Sequence, residues 1–441
     1  MTDVDEVSGG GSLERRLATL RTLRDPKVPD FTARINEVVV LASSSRSGSN
    51  MLAALLRESA DLMHLRGEFN LFLRLAGLAY PVSGDSDRLD AGHWHALSPS
   101  RHRLLSEELA LDAGRPASRV DDERYLLDVA WRLVVQWPDI DFDLGVVLET
   151  GRRVLDRVRR EGGWGVGEVR DGYRFHGALL DALVRTGYAV DHRFYEQLGS
   201  SARTPTTGAP GETVIEEPPF MAVGAWRVAD EDDCDTRPLV VHTPNNVYRL
   251  GFLRAMFPRA RMRVIYLTRN PAASINGLFD GWRHPGFHAY RMTEPLRISG
   301  YADVRPADRW WWKFDLAPGW QRYTSASLMS VCAFQWRSAH EAVLDDLGDG
   351  KTDFFQLRHE DLISGPESRV RCLTQLSQWL GIPFAGGFAH TAHTGIRPVV
   401  SSVPPAPRRW HRRAAVIHEV LDRDVLRIAE RLGYGPQSDW L

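Results

Sequence analysis

The chain has 441 residues, of which 43% are hydrophobic and 25% charged, values near globular averages that exclude wholesale disorder. Its 55 basic and 57 acidic side chains give a net charge of −2, so it lacks the global basic field of a nucleic-acid-binding protein. The three cysteines are scattered and form no CxxC pair, which argues against a disulfide framework or a zinc knuckle and favours a reducing compartment. The acidic start is unlike a signal peptide, and no apolar stretch reaches membrane length. We therefore expect a cytoplasmic protein without a nucleic-acid partner or a transmembrane segment.

The N-terminal 32 residues are predicted to form a tail with one short amphipathic helix. Four leucines between Leu13 and Leu23 recur at helical spacing, and prolines at positions 26 and 29 follow them. The next segment, residues 38–42, is a continuous apolar run of the kind that a strand buried on both faces requires. A polar turn, Ser43–Asn50, and a helical face beginning at Met51 follow, so the sequence predicts a strand, a small-residue turn and a helix.

A segment of different character, residues 80–236, is predicted to be an insertion made of helices and loop. Its helical stretches are 122–137, 143–160 and 172–187, and residues 199–238 are rich in Gly, Pro, Thr and acidic residues, which is typical of loop.

The β/α pattern resumes after the insertion. The predicted strands are 239–241, 264–267 and 354–357, and the predicted helices include 328–347 and 366–380. Ser364 is expected to cap the last of these helices and Gly381 to follow its end. Alternation of strands and helices predicts an α/β fold with a doubly wound, mostly parallel sheet and flanking helices, in one domain over 33–441 that the helical insertion interrupts.

The turn at 43–50 is a candidate phosphate loop because helix N-termini beyond parallel strands point backbone N–H groups at anions. The nucleotide-hydrolysing pattern G-x-x-x-x-G-K-[ST] fails here. Ser49 stands where the lysine should reach the phosphates, and Asn50 stands where a hydroxyl should hold magnesium. The turn can still hold a phosphate; an ordinary Ser/Gly turn is the alternative.

Four segments carry a resemblance to a known family. They are Arg46-Ser47-Gly48-Ser49-Asn50, Arg269-Asn270-Pro271, Leu357-Arg358-His359-Glu360-Asp361-Leu362 and His242-Thr243-Pro244-Asn245-Asn246. In this order they resemble the phosphosulfate loop, the R-[DN]-P segment, the R-Y-E-D-L segment and the K-T-P-N-N segment of sulfotransferases that use 3′-phosphoadenosine 5′-phosphosulfate (PAPS). The resemblance implies a P-loop-like fold and a metal-free, in-line transfer of a sulfuryl group, with adenosine 3′,5′-bisphosphate (PAP) as the product.

The resemblance also implies donor-binding roles. Residues Arg46, Ser47, Gly48, Ser49 and Asn50 would hold the 5′ end, and Arg269 the 3′-phosphate. Gly277 stands where the family places a serine for this phosphate, and Ser274 is the expected substitute on the same helix.

Two further residues belong to the expected donor site. His359 replaces a tyrosine near the adenine, where an imidazole can stack, although a histidine satisfied within the turn is the alternative. Arg397 lies in a segment similar to the late loop that closes over the donor. Arg408 and Arg409 are also available, but a basic run of this kind is typical of a solvated face.

Glu68 and His242 are the candidate catalytic residues. Glu68 follows the first helix in a G-E pair like that of tyrosylprotein-type and many bacterial members, and burial would suit it to accept the acceptor proton. His242 occupies a lysine position and is expected to stabilise the leaving phosphate oxygen. The reverse assignment stays open because the cytosolic branch uses a catalytic histidine close to this point.

The acceptor is expected to be a small-molecule, lipid or carrier-linked hydroxyl or amine, and the sequence does not identify it. A cluster of aromatic residues is predicted to form a lid or acceptor wall, or else the core of an irregular segment; it comprises Trp282, Trp310, Trp311, Trp312, Phe314, Trp320 and Tyr323. Two alternatives to the sulfotransferase stay open: a nucleotide-dependent kinase with a degenerate P-loop, and a non-catalytic relative that binds PAP or PAPS.

Overall fold

A computed structural model describes residues 10–190, 215, 223–284, 287–348, 350, 352–396, 399, 405–436 and 440. In these ranges nine strands form two sheets. The strands are β1 Glu37–Ser43, β2 Met63–His64, β3 Gly114–Pro116, β4 Trp226–Val228, β5 Leu239–His242, β6 Arg261–Thr268, β7 Ala289–Arg291, β8 Trp311–Lys313 and β9 Asp353–Arg358. The larger sheet has the order β4-β3-β2-β5-β1-β6-β9, and β7 pairs with β8.

The larger sheet is mostly parallel. Strands β2, β5, β1, β6 and β9 pair in parallel, whereas β3 and β4 join the β2 edge in antiparallel orientation. The α/β fold with a mostly parallel sheet and flanking helices is therefore confirmed.

Eighteen α-helices accompany the strands in the described part of the chain. They are α1 Gly10–Arg24, α2 Phe31–Arg34, α3 Ser49–Leu56, α4 Asn70–Leu75, α5 Ala91–His95, α6 Pro99–Asp112, α7 Asp122–Gln136, α8 Leu144–Gly162, α9 Gly172–Arg185, α10 Glu231–Thr236, α11 Leu250–Met256, α12 Pro271–Arg283, α13 Leu328–Leu347, α14 His359–Ile363, α15 Pro366–Leu380, α16 Gly386–Thr394, α17 Ala414–Val420 and α18 Arg423–Arg431. None of the helices described is long and apolar enough to cross a membrane.

Strand β1 explains why the sheet has two hydrophobic layers. Successive side chains of a strand point to opposite faces, so Val38 and Val40 belong to one core cluster and Val39 and Leu41 to the other. All four side chains are buried, as the continuous apolar run predicts for a strand covered on both faces.

The insertion differs from its prediction in one respect. Its helices α7, α8 and α9 form where the sequence predicts them, but the segment also contributes β3 and β4 to the sheet edge. These strands have only three residues each, which is too short for an alternating pattern to be visible in the sequence.

Two local predictions concern the ends of elements. Helix α15 ends at Gly381 in the left-handed conformation (φ 71°), as predicted, but Gly365 rather than Ser364 precedes its first residue. The Ser364 hydroxyl, just after α14, instead donates to the backbone carbonyl of Glu360 within that helix. The predicted N-terminal helix forms as α1, and its buried Arg24 pairs with Glu108 and Asp128, so α1 is attached to the rest of the fold.

Candidate functional site

The turn between β1 and α3 has a backbone that requires glycine at position 48. Gly48 has φ 96°, and a Cβ there would lie 2.4 Å from Nδ1 of His359. Gly48 immediately precedes the first residue of α3, where backbone N–H groups have no acceptor within the helix. The glycine thus brings His359 against a helix end that can receive an anion.

Serine hydroxyls hold the turn in place. The hydroxyls of Ser44 and Ser47 lie 2.6 Å apart, and Ser45 donates to a carboxylate oxygen of Asp315 at 3.0 Å. The hydroxyls of Ser47 and Ser274 lie 3.4 Å apart. Ser47 and Ser274 are both buried, and this contact joins the turn to α12.

A cavity of about 370 Å³ lies next to this turn, at the carboxyl ends of β1 and β6 and at the start of α14. Six predicted donor residues line it: Arg46, Gly48, Ser49, Asn50, Arg269 and His359. Gly277 and the predicted base Glu68 also line it. Ser47 and Ser274 contact each other behind the turn and are not part of its lining. The structure therefore brings most of the predicted site residues, far apart in sequence, to one cavity.

Three arginines, Arg46, Arg269 and Arg409, line one end of the cavity and lie close enough for their charges to affect one another. Burial and the charges of Arg269 and Arg409 lower the pKa of Arg46 to about 10, and burial together with the charge of Arg409 lowers that of Arg269. Arg269 also donates to the Arg46 carbonyl at 3.1 Å. The carboxylate of Asp280 offsets part of this repulsion and pairs with Arg409 at 2.8 Å. A bound anion would reduce the remaining repulsion, so this end of the cavity is suited to phosphate.

Glu360 fixes the segment that carries Arg269. One of its carboxylate oxygens accepts from the backbone N–H of Asn270 at 3.0 Å and from its side-chain amide at 2.8 Å. Asn270 in turn caps α12 by accepting from the backbone N–H of Ala273 at 2.8 Å. The Tyr434 hydroxyl donates to the other carboxylate oxygen at 2.9 Å. The R-N-P and R-H-E-D-L segments therefore form one hydrogen-bonded unit.

Glu68 lies elsewhere on the cavity wall, after β2. Burial raises its pKa to about 7, although a hydrogen bond from Thr243 at 3.0 Å and the charges of Arg249 and Arg57 act in the opposite direction. A carboxylate with a pKa near neutrality can accept a proton from a substrate hydroxyl at physiological pH.

His242 is the second predicted catalytic residue. It ends β5 and is buried, but its side chain does not line the cavity. Burial and the nearby charge of Arg57 lower its pKa to about 3. At this pKa the imidazole is neutral at physiological pH, and the role at the leaving oxygen that the sequence suggests for His242 stays a prediction.

His359 lines the cavity, and its Nδ1 is buried without a hydrogen-bond partner. Burial and the charge of Arg269 hold its pKa well below the ordinary range, so the ring is neutral and can stack on a base or bond to a ligand.

Arg397, which the sequence predicts in a loop that closes over the donor, lies outside the described residues.

The C-terminal basic run contributes to the cavity wall. Arg408 and Arg409 both line the cavity; Arg408 is exposed, whereas Arg409 is half-buried and pairs with Asp280 of α12. No local pattern indicates this, because the two partners are 129 residues apart. Asp315, which fixes Ser45, carries no motif and was also missed.

The aromatic cluster divides between its two expected roles. Trp282, Trp312 and Trp320 are buried and pack edge to face, with ring centroids 5.2 Å apart in both pairs, so they form core. Phe314 lines the cavity together with Phe287, whose ring lies 4.6 Å from the Arg46 guanidinium carbon.

No family model and no curated protein matches the chain. Solved structures with a similar arrangement include the sulfotransferase domain from the curacin biosynthetic pathway (13% identity, 91% of this chain and 99% of that chain, TM-score 0.36). The sulfotransferase domain of the Synechococcus PCC 7002 olefin synthase (14%, 91% and 96%, 0.37) and sulfotransferase STF9 from Mycobacterium avium (12%, 96% and 83%, 0.39) are also similar. At these values the likeness carries no inference about function.

Proposed function

We propose that the protein is a sulfotransferase that moves a sulfuryl group from PAPS to a hydroxyl or amine of a small-molecule, lipid or carrier-linked acceptor. The observation that carries the proposal is a single cavity with a cluster of arginines, a phosphate-loop-like turn and a carboxyl group whose pKa is about 7. The donor must be held by its two phosphate ends, and the acceptor must lose a proton.

The residues present fit the donor. Arg269, Arg409 and the N-terminus of α3 supply positive ends for two phosphates, and His359, whose buried Nδ1 has no hydrogen-bond partner, lines the same cavity. When bound, PAPS supplies the sulfuryl group and a phosphate leaving group. The turn from Arg46 to Asn50 is proposed to hold the 5′ end and Arg269 the 3′ end, while Ser274 supports the turn through Ser47.

Glu68 is the proposed base. Its carboxylate accepts the proton from the acceptor oxygen or nitrogen as that atom forms its bond to sulfur and the bond from sulfur to the phosphate oxygen breaks. The proton remains on Glu68 until product release, which a pKa of about 7 allows at neutral pH. His242, buried and neutral, is proposed to position the β5 end; its backbone carbonyl accepts from the N–H of Phe69 at 3.1 Å.

The test is a thermal shift of the purified protein with PAP, with and without magnesium, beside magnesium ATP. Ligand at about one hundred times its dissociation constant adds about 2.7 kcal/mol of stability. A metal-independent shift with PAP is expected. A shift only with magnesium ATP would replace the sulfotransferase by the kinase. If PAP binds but the wild type shows no sulfuryl-transfer activity, the non-catalytic relative is supported instead.

A further inference from the structure

Glu68 lies on a short connection between β2 and α4, residues 65–69, which we call the base loop. The base loop is neither helix nor strand, so its backbone groups must find partners in other parts of the chain. Arg57, just after α3, supplies one such contact. Its guanidinium donates to the carbonyls of Leu65 and Arg66 at 3.0 and 3.1 Å.

The other side of the base loop is held by the insertion, residues 80–236. The backbone N–H of Arg66 donates to the carboxylate of Asp112 at 2.9 Å, and its guanidinium donates to the carboxylate of Asp128 at 2.6 Å. The Arg66 guanidinium carbon also lies 5.9 Å from the centre of the Trp226 ring. Asp112 ends α6, Asp128 lies on α7 and Trp226 begins β4, so three elements of the insertion meet at one residue of the base loop.

The two carboxylates that hold the base loop belong to a larger buried cluster of charges. Asp112 also pairs with Arg132. Asp128 also pairs with Arg24 at 2.8 Å and with Arg124 at 3.3 Å. Burial opposes the ionisation of Asp128, but the charges of its three arginine partners outweigh burial and hold its pKa below the usual range. The cluster therefore stays ionised, and each carboxylate keeps an arginine partner if the base loop is detached.

Resting on the proposed function, we propose that Arg66 is a positioning residue through which the insertion holds Glu68 at the cavity. Asp112 and Asp128 fix Arg66, and Arg66 fixes the carboxyl group two residues later in the chain. Arg66 is absent from the described cavity lining, so it acts on the reaction only through Glu68. The insertion, which carries none of the donor-site motifs, thereby gains a role in proton transfer.

The experiment compares the wild type with Arg66→Met, which keeps the aliphatic stem but removes the charge and the hydrogen bond to Asp128. We expect kcat for sulfuryl transfer to fall about 10- to 100-fold, because a reacting group displaced by about 1 Å loses its alignment. Calorimetric PAP affinity should stay within about twofold, because sites without shared partners act independently.

The pH profile gives a readout that a loss of stability alone would not move. Burial raises the pKa of Glu68, whereas the hydrogen bond from Thr243 and the charges of Arg249 and Arg57 lower it. A loosened base loop admits water to the carboxyl group, so its pKa should fall and the inflection of the rate in Arg66→Met should move to lower pH. An inflection that stays in place would give Arg66 a structural role only.

Two further variants separate positioning from stability. Arg66→Lys should keep kcat closer to the wild type than Arg66→Met does, because lysine keeps the charge opposite Asp128. Arg124→Met is the matched control, because Arg124 pairs with the same carboxylate but its other hydrogen bonds run to the carbonyls of Arg24 and Leu111. It should lower Tm and leave both kcat and the inflection unchanged.

Several results would overturn the inference and leave the proposed function standing. They are an unchanged kcat in Arg66→Met, an equal loss of kcat and PAP affinity in that variant, and a loss of kcat in Arg124→Met as large as in Arg66→Met. If the wild type binds no PAP, or binds it and transfers no sulfuryl group, the proposed function fails and this assignment fails with it.

Discussion

Arg46 and Glu68 line the same cavity, and burial is the largest influence on the pKa of both. Burial lowers the pKa of Arg46 to about 10, which leaves its guanidinium charged at physiological pH. Burial raises the pKa of Glu68 to about 7, where the carboxyl group is half ionised. The same loss of water therefore leaves a permanent charge at one end and a titrating group at the other.

This difference separates binding from proton transfer. A group that holds phosphate must keep its charge throughout the reaction, and arginine can lose more than two pKa units without discharging. A group that accepts and returns a proton works best with a pKa near the surrounding pH. The parallel strands β1 and β6 lead into the first end, and β2, next to the insertion, leads into the second.

The largest expected effect is on the Glu68 end. In Glu68→Gln the amide cannot accept a proton, and kcat for sulfuryl transfer should fall about 10²- to 10⁴-fold. PAP affinity should remain within about twofold, because the arginine end is untouched. Measurement of kcat beside calorimetric PAP binding checks this. Full activity in this variant would show that Glu68 is not the base. A parallel loss of PAP affinity would show that Glu68 also contributes to donor binding.

The complementary change is at the arginine end. Arg269→Ala should cost about 2–5 kcal/mol of PAP binding free energy, because it removes one partner from a buried charged contact. Arg269→Lys should retain more of the PAP affinity than Arg269→Ala but less than the wild type, since lysine keeps the charge but loses the planar fork of the guanidinium. The pH profile of the residual activity should keep its inflection. A shifted inflection would show that the arginine end sets the pKa of Glu68.

A smaller effect is expected on the pH profile itself. The base must be ionised, so the rate should rise with pH through about 7. Thr243→Val removes a hydrogen bond that favours the carboxylate, so the inflection should move to higher pH. Thr32→Val, another buried threonine, is the control and should leave it unchanged. If the inflection does not move in Thr243→Val, the group that titrates in the pH profile is not Glu68.

The smallest effect is expected for His242. His242→Gln should change kcat by less than about tenfold, because the imidazole is neutral and lies off the cavity wall. The main effect of His242→Gln should be a lower Tm, because the buried side chain packs at the end of β5. A loss of kcat as large as that of Glu68→Gln would restore the sequence-based assignment of His242 as a catalytic group.

The fold and the local parts of the site could be predicted because their signals lie within short segments. The run at 38–42 and the turn that ends at Gly48 need only a strand, a positive φ and a helix start. Arg269 and His359 likewise lie at strand ends that the apolar pattern marks.

The remainder depends on contacts between distant segments. Arg409 is held at the cavity by its ion pair with Asp280, which lies 129 residues earlier in the sequence. The low pKa of His242 comes from burial and from Arg57, neither of which has a local pattern. The same holds for β3 and β4, which are too short to show an alternation.

Glu360 has a consequence for the order in which the protein is assembled. Its carboxylate joins Asn270, 90 residues earlier, to Tyr434, 74 residues later, so three distant segments must be in place together. During synthesis the strands of the larger sheet, the last of which ends at Arg358, precede Tyr434, so the segment that carries Arg269 is held fully only after Tyr434 has been made and has joined Glu360. We therefore expect competence to bind the nucleotide to be acquired late in folding, after most of the secondary structure is present.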